Sequence, residues 1–231
     1  MKNKLKIKKK MKKSTKRNPL FEELQKEEIN KKKVEKYLEF LNEKKISLTT
    51  LKDKSGKTAM HHLCTSKGIT TEMIELLIEK KATFENEDEN KKKPIHFLMN
   101  NKKINQEILS SLLKLNVSVN SKDNFSKNSF HYFCENKSLN FSLLNFFLAS
   151  FKPLINYKVD DNLIPLHLVL MNKNVDLSIL KCLHSFSADF QRVDKNERNI
   201  AHYYVKNQNG KKKIKIKKNR KYKNIKIKKK K

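Results

Sequence analysis

The sequence contains no tryptophan, only three glycines and only three cysteines in 231 residues. So few glycines exclude a glycine-rich phosphate loop. A small, odd number of cysteines favours free thiols in a reducing compartment, so we expect an intracellular protein of the cytoplasm or nucleus. No apolar run reaches the roughly 18 residues of a membrane span, and the cationic N-terminus lacks the apolar core of a signal peptide.

Acidic residues are absent from both ends of the chain. Residues 1–17 contain ten Lys or Arg and residues 211–231 contain fourteen, without an Asp or Glu. These tails supply +24 of the net charge of +30 and leave +6 for residues 18–210. Because like charges repel and the tails have little apolar surface to bury, we predict that both are disordered.

Five of the seven histidines recur at nearly constant spacing. They are separated by 35, 35, 36 and 35 residues, and each closes a short motif. A fixed period of this length is the signature of a repeat protein. The motifs are Thr58-Ala59-Met60-His61, Lys93-Pro94-Ile95-His96, Asn128-Ser129-Phe130-His131, Ile164-Pro165-Leu166-His167 and Asn199-Ile200-Ala201-His202.

Each motif opens a predicted helix, which is followed by a loop, a second helix with an apolar stripe, and a hairpin-like finger. Before the first motif, Asp53 to Gly56 predicts a turn in which Gly56 has a positive φ, and Thr58 is placed to cap the helix. A helix pair upstream lacks the histidine and is predicted to cap the array. The resulting domains are a basic tail (1–17), a helical cap (18–46), about five repeats with the last incomplete (47–210) and a second basic tail (211–231).

These motifs resemble the ankyrin repeat family. The family's unit begins Asp-x-x-Gly-x-Thr-Pro-Leu-His, and Asp53, Gly56, Thr58 and His61 match it in order. The resemblance covers about residues 45–210 and implies an all-α solenoid of helix-loop-helix-finger units. It also implies a structural role for the five motif histidines, in which one ring nitrogen donates and the other accepts a hydrogen bond. Further matches are Pro94 with His96, Pro165-Leu166-His167, Val119-Asn120 and Ala188-Asp189.

The sequence departs from the family at the end of each second helix. The family places a glycine there, and this chain has Lys81, Asn116, Phe151 and Ser187. Among these residue types only asparagine adopts the left-handed conformation at low cost. We therefore expect the other helices to end differently.

Two histidine–cysteine pairs raise the question of a metal site. His61-x-x-Cys64 and His131-x-x-Cys134 each place two ligands on one helical face. However, the pairs lie two repeats apart, and the cysteine position is Met99 in the second repeat, so we interpret it as a core position. No serine or acid recurs at a spacing that would activate a histidine. We predict no metal, no cofactor and no enzymatic activity.

Ankyrin arrays bind proteins through their finger tips and the concave face of their first helices. The resemblance therefore implies a monomeric scaffold with a protein partner of unknown identity. Phe125 and Leu163 are apolar at positions expected to be exposed, which makes them a candidate anchor pair unless both pack onto their fingers. The candidate residues are Lys54, Ser55, Lys57, Glu89, Asn90, Asn124, Phe125, Lys127, Asp161, Leu163, Met171 and Lys195.

The tails support a second hypothesis. Their 24 positive charges would bind nucleic acid or anionic membranes with a steep salt dependence and no sequence preference. Compositional drift is the alternative explanation, because the whole chain is rich in Lys, Asn and Ile. Both readings stay open at this point.

Overall fold

The computed structural model describes residues 18–172 and 175–207, together with two short strands further on. The predicted tail at 1–17 and most of the tail at 211–231 lie outside the described residues. The chain divides into two compact units, residues 1–124 (unit 1) and 125–231 (unit 2).

Unit 1 contains three helix pairs, of which the first occupies the predicted cap. The first helices pack side by side, α1 on α3 and α3 on α5, and the second helices α4 and α6 pack on each other. This is the two-layer stacking that a helical repeat uses to bury its apolar faces. The described helices are α1 (Pro19–Leu24), α2 (Lys31–Glu43), α3 (Ala59–Thr65), α4 (Thr71–Glu79), α5 (Pro94–Met99) and α6 (Gln106–Lys114).

Unit 2 repeats this arrangement. The first helices α7, α9 and α11 pack in sequence order, and α8 packs on α10. A 3-10 turn, Asp160–Asn162, precedes α9. The described helices are α7 (Ser129–Glu135), α8 (Phe141–Phe151), α9 (Pro165–Met171), α10 (Leu177–Ser185) and α11 (Ile200–Asn207).

The all-helical class predicted from the sequence is confirmed over residues 18–172 and 175–207, where no helix is long and apolar enough to cross a membrane. Two strands lie beyond this range. β1 (Lys215–Lys217) pairs antiparallel with β2 (Lys226–Lys228) and sets Ile216 opposite Ile227. Their Lys-Ile alternation has the two-residue period of a strand.

Each second helix of a repeat begins after a polar capping residue. In the first three repeats the side-chain oxygen of Thr70, Asn105 or Asn140 accepts a hydrogen bond from the backbone N–H three residues later, at 2.8 to 3.3 Å. Asp176 does the same before α10, at 2.9 Å. These caps satisfy one of the unpaired N–H groups at each helix start and so fix where the second helix begins.

The one spacing of 36 residues has a local explanation. α8 contains 11 residues, whereas α4, α6 and α10 contain nine. Its apolar face packs Phe147 between Phe130 and Phe133, with ring centroids 5.6 and 4.8 Å apart. The extra residue is thus absorbed in a second helix, and the finger and motif that follow keep their spacing.

The expectation about helix ends was wrong. Four second helices are followed by a residue with positive φ: Lys81 (68°), Asn116 (50°), Lys152 (45°) and Ser187 (62°). In the third repeat this position is Lys152 rather than Phe151. The left-handed conformation is therefore adopted by lysine and serine as well as by asparagine.

Hydrogen bonds explain why these residues tolerate the conformation. Just after α4, the N–H of Ala82 donates to the carbonyl of Leu77 at 2.9 Å, and just after α10 the N–H of Ala188 donates to Leu183 at 2.9 Å. This closure is the Schellman motif, which pairs carbonyls that a helix end otherwise leaves open. It offsets the cost of about 1–2 kcal/mol for a left-handed residue with a Cβ.

Replacing Lys81 with glycine is expected to stabilise the protein by about 1 kcal/mol, because glycine adopts a positive φ without a steric penalty. Urea denaturation measures the change in the free energy of unfolding. Lys80→Gly is the matched control: Lys80 has a φ of −86°, where glycine should destabilise by about 0.5–1 kcal/mol. Equal responses at the two positions would contradict the explanation.

Candidate functional site

Five fingers precede the motif histidines, and we number them 1 to 5 in chain order. Finger 1 shows how they are built. Asp53 Oδ1 accepts hydrogen bonds from the N–H groups of Ser55 and Lys57 at 2.8 and 2.9 Å. Burial raises the pKa of Asp53, but these hydrogen bonds outweigh it and hold the pKa below its ordinary value. The fingers are residues 53–57, 88–92, 123–127, 159–163 and 194–198.

The fourth residue of every finger has a positive φ between 54° and 78°. Only finger 1 has a glycine at this position. The other four fingers keep a positive φ at this position with residues that carry a Cβ, so the turn does not require glycine. Finger 4 differs in one respect, because its third residue, Asp161, also has a positive φ of 63°. The five residues are Gly56, Lys91, Ser126, Asn162 and Glu197.

Neighbouring fingers within a unit are joined backbone to backbone. In unit 1 the N–H of Glu89 donates to Ser55 O at 3.1 Å, and the N–H of Asn124 donates to Asn90 O at 2.9 Å. In unit 2 the N–H of Lys195 donates to Asp161 O at 2.8 Å. Within each unit, the finger tips are therefore held in a fixed register by backbone hydrogen bonds, and their side chains project from this row of tips.

The motif histidines tie each first helix to the finger of the next repeat. In the first repeat, His61 Nδ1 accepts from the N–H of Thr58 at 3.1 Å, and Nε2 donates to Lys92 O at 2.9 Å. His96 makes the same pair of bonds, to the N–H of Lys93 and to Ser121 O, both at 2.9 Å. Since a carbonyl only accepts, each Nε2 carries a proton.

The histidines of unit 2 follow the pattern less completely. His131 Nε2 donates to Tyr157 O at 3.0 Å. His167 Nδ1 accepts from the N–H of Ile164 at 3.1 Å, while its buried Nε2 faces the carbonyl of Arg192 without reaching hydrogen-bond geometry. His202 Nδ1 accepts from the N–H of Asn199, and the ring is exposed.

The structure places the candidate partner-binding residues on or beside the fingers. Four of them are only half-buried: Ser55, Lys57, Lys127 and Leu163. Their role in binding is not tested by their position, and it stays a prediction. The exposed candidates are Lys54, Glu89, Asn90, Asn124, Phe125, Asp161, Met171 and Lys195.

Leu163 does not match the expectation of an exposed anchor pair. Phe125 is 49% exposed at the third position of finger 3. Leu163 is half-buried at the last position of finger 4, where its carbonyl accepts from Val159 N–H at 2.8 Å and closes the turn. The two residues therefore occupy different positions in their fingers, and only Phe125 is exposed.

Sequence reasoning missed a set of cations that lie over aromatic rings. In unit 1, Lys57 Nζ lies 4.8 Å and Lys92 Nζ 5.9 Å from the centroid of the Phe97 ring. These contacts fall in the range of cation–π attraction. Each cation is the last residue of a finger, and the ring directly follows a motif histidine. We call these groups the finger-base pairs.

Unit 2 contains two finger-base pairs. Lys127 Nζ lies 5.4 Å from the Tyr132 ring and 2.6 Å from Glu135 Oε1. Arg198 Cζ lies 5.3 Å from the Tyr203 ring. The signal was present in the sequence: the residue after the motif histidine is Phe or Tyr in three repeats, and the fourth repeat, which lacks the cation, has a leucine at both positions.

The histidine–cysteine pairs do not form a metal site among the described residues, which contain no cluster of three metal-binding side chains. His61 uses both ring nitrogens for backbone hydrogen bonds. Cys64 and Cys134 are completely buried, and burial raises the pKa of both thiols well above the ordinary value. Such thiols are poor nucleophiles and poor metal ligands.

The described residues thus define an all-helical repeat fold with stacked fingers. No family model matches the sequence, and no curated protein matches it. Among solved structures 396 chains match. One belongs to the complex of the predatory endopeptidase Bd0816 from Bdellovibrio bacteriovorus with the immunity protein Bd3460; the TM-score is 0.66 at 19% identity, covering 84% of this chain and 93% of that chain. This likeness concerns the fold alone, and a fold shared so widely does not specify a function.

The buried histidines predict a pH dependence of stability. Burial lowers the pKa of His61 to about 4 from 6.5, and it also lowers the pKa of His96 and His167. The unfolded chain therefore binds protons at these histidines near pH 6.5, whereas the folded chain binds them only at lower pH, near 4 for His61. Stability is therefore complete above pH 6.5 and is lost as the pH falls towards 4, with His61 contributing on the order of 3 kcal/mol.

Urea denaturation between pH 7.5 and 5 measures this loss. His61→Gln is expected to flatten the pH dependence, because glutamine does not titrate. His202→Gln removes an exposed histidine of the same motif and serves as the control. If the wild-type chain and His61→Gln lose stability at the same rate with falling pH, the assignment of His61 is wrong.

Proposed function

We propose that this chain is an ankyrin-type repeat protein that binds a partner protein through its finger tips and finger-base pairs. One observation carries the proposal: the fourth residue of every finger has a positive φ, whereas the side chains on the fingers differ. A constant frame with variable projecting residues suits recognition of another macromolecule and requires no catalysis.

The finger-base pairs indicate the chemistry of the partner surface. Lys57, Lys92 and Arg198 each combine a positive charge with an adjacent aromatic ring. Arginine and aromatic residues are enriched where protein interfaces concentrate their binding energy. We expect them to contact a partner surface that presents carboxylates beside apolar groups.

The fold neighbour is consistent with this role. That neighbour is a chain of a complex between an endopeptidase and an immunity protein, so it was solved in a protein–protein complex. By analogy we propose a protein partner here, bound by a monomer.

We also propose that the protein lies inside the cell, in the cytoplasm or nucleus. Cys64, Cys134 and Cys182 are unpaired, which fits a reducing compartment.

The tails support the alternative function. Residues 1–17 and 211–231 carry +24 of the net charge. A polycation of this size binds nucleic acid or anionic lipid by releasing counterions, with an affinity that falls steeply as salt rises. Binding through the fingers is expected to depend less on salt, because part of it comes from apolar contact.

The test identifies a partner and then measures its affinity for matched variants. The full chain captures the partner from an extract of the source cell, and the purified partner is titrated by calorimetry. The tip variant is Lys54→Glu/Phe125→Ala. The control is Lys102→Glu/Phe141→Ala, which makes the same changes away from the fingers; Phe141 is 47% exposed and Phe125 49%.

The tip variant is expected to weaken binding about tenfold or more, which corresponds to about 1.4 kcal/mol. The control should change it less than about threefold. If both variants bind like the wild-type chain and raised salt abolishes binding, the tails are responsible and the proposed function fails.

A further inference from the structure

The fifth repeat contains a cavity of about 300 Å³ beside the packed helices α9 and α11. Its lining combines an exposed apolar side chain, two cationic side chains, a histidine and a tyrosine ring. Every lining residue belongs to unit 2. They are Met171, Arg198, His202, Tyr203 and Lys206.

One cation of this cavity is held rigidly. Arg198 donates from Nε and Nη2 to the buried Asp194 Oδ2, at 2.6 Å each, and Tyr203 OH donates to the same oxygen at 2.5 Å. The guanidinium group is therefore fixed in orientation, while Nη1 bonds to no described residue. A donor group that is already ordered binds a ligand at a lower entropic cost.

In the same repeat, one side-chain donor and one backbone carbonyl make no hydrogen bond to any described residue, although the equivalent groups of earlier repeats bond to the next repeat. In the first three repeats the motif histidine donates from Nε2 to a carbonyl within the next finger or two residues before it. Among residues 18–172 and 175–207 nothing occupies this place for His202. Likewise, Asp161 O accepts from the next finger at Lys195, whereas the equivalent carbonyl of Asn196 accepts from no described residue.

The positive charge around the cavity favours an acidic segment over a second copy of this protein. Arg198 and Lys206 line the cavity, and Lys206 forms no ion pair with any described residue. A second copy of this protein, with a net charge of +30, would be repelled. An acidic segment is attracted, and Met171, 48% exposed, offers it an apolar contact.

We infer that the fifth repeat binds an extended acidic segment of the partner protein. The segment lies where a further finger would lie: a backbone carbonyl accepts from His202 Nε2, a backbone N–H donates to Asn196 O, and a carboxylate meets Arg198 and Lys206. This inference rests on the proposed function, because it assigns one part of the partner surface.

The probe is a fluorescein-labelled decapeptide of alternating Glu and Val, titrated against the full chain by fluorescence anisotropy. Lys206→Glu tests the cavity. Lys181→Glu, on the exposed side of α10, makes the same charge change elsewhere and leaves the tails equally attractive. Thermal unfolding of both variants shows that they fold.

Lys206→Glu is expected to weaken binding about tenfold or more, and Lys181→Glu less than about twofold. Equal weakening by the two variants would assign the peptide to the tails and overturn the inference. Equally tight binding of an uncharged control decapeptide, in which Gln replaces every Glu, would overturn it as well. The tip variant Lys54→Glu/Phe125→Ala should bind the peptide normally. If it loses the partner while Lys206→Glu binds the peptide like the wild-type chain, the proposed function stands and this inference fails.

Discussion

The stacking of the repeats depends on hydrogen bonds made by the motif histidines, and the pair is complete for His61 and His96. In the first two repeats Nδ1 accepts from the backbone three residues earlier, and Nε2 donates to a carbonyl of the following repeat. A single side chain thus orders its own helix start and positions the next finger. Only a neutral imidazole with its proton on Nε2 provides both functions.

A second polar ladder works at the opposite end of the first helices. Asn101 Nδ2 donates to the carbonyls of Cys64 and Ser66 at 2.9 and 2.7 Å, and Asn172 Nδ2 donates to Asn136 O at 2.7 Å. Buried hydrogen bonds of this kind add modest net stability when made and cost more when left unmade. They specify the register between repeats, while the apolar faces supply the stacking energy.

The sequence predicted the elements well because the repeat period shows directly in the histidines. It also placed the turn at Gly56 and the N-terminal helix pair correctly. It failed at Lys81 and Ser187, where a left-handed residue is stabilised by hydrogen bonds that propensity alone does not reveal. Intrinsic preferences of single residues are a weak guide wherever the surrounding structure determines the backbone.

The candidate site was predicted less completely. Finger tips could be located by counting back from each histidine, but burial could not, and so Leu163 was expected to be exposed. The finger-base pairs need two positions to be considered together. Lys92 meets Phe97 five residues later in the same repeat, a spacing that the leucines at 163 and 168 share, whereas Lys57 meets Phe97 only because the repeats stack.

The central claim is that the motif histidines join consecutive repeats through Nε2. Long-range ¹H–¹⁵N NMR of the full chain at pH 7 reports the tautomer of each ring directly. The account predicts that His61 and His96 are neutral with the proton on Nε2. A proton on Nδ1, or rings that exchange rapidly between the two tautomers, would contradict it.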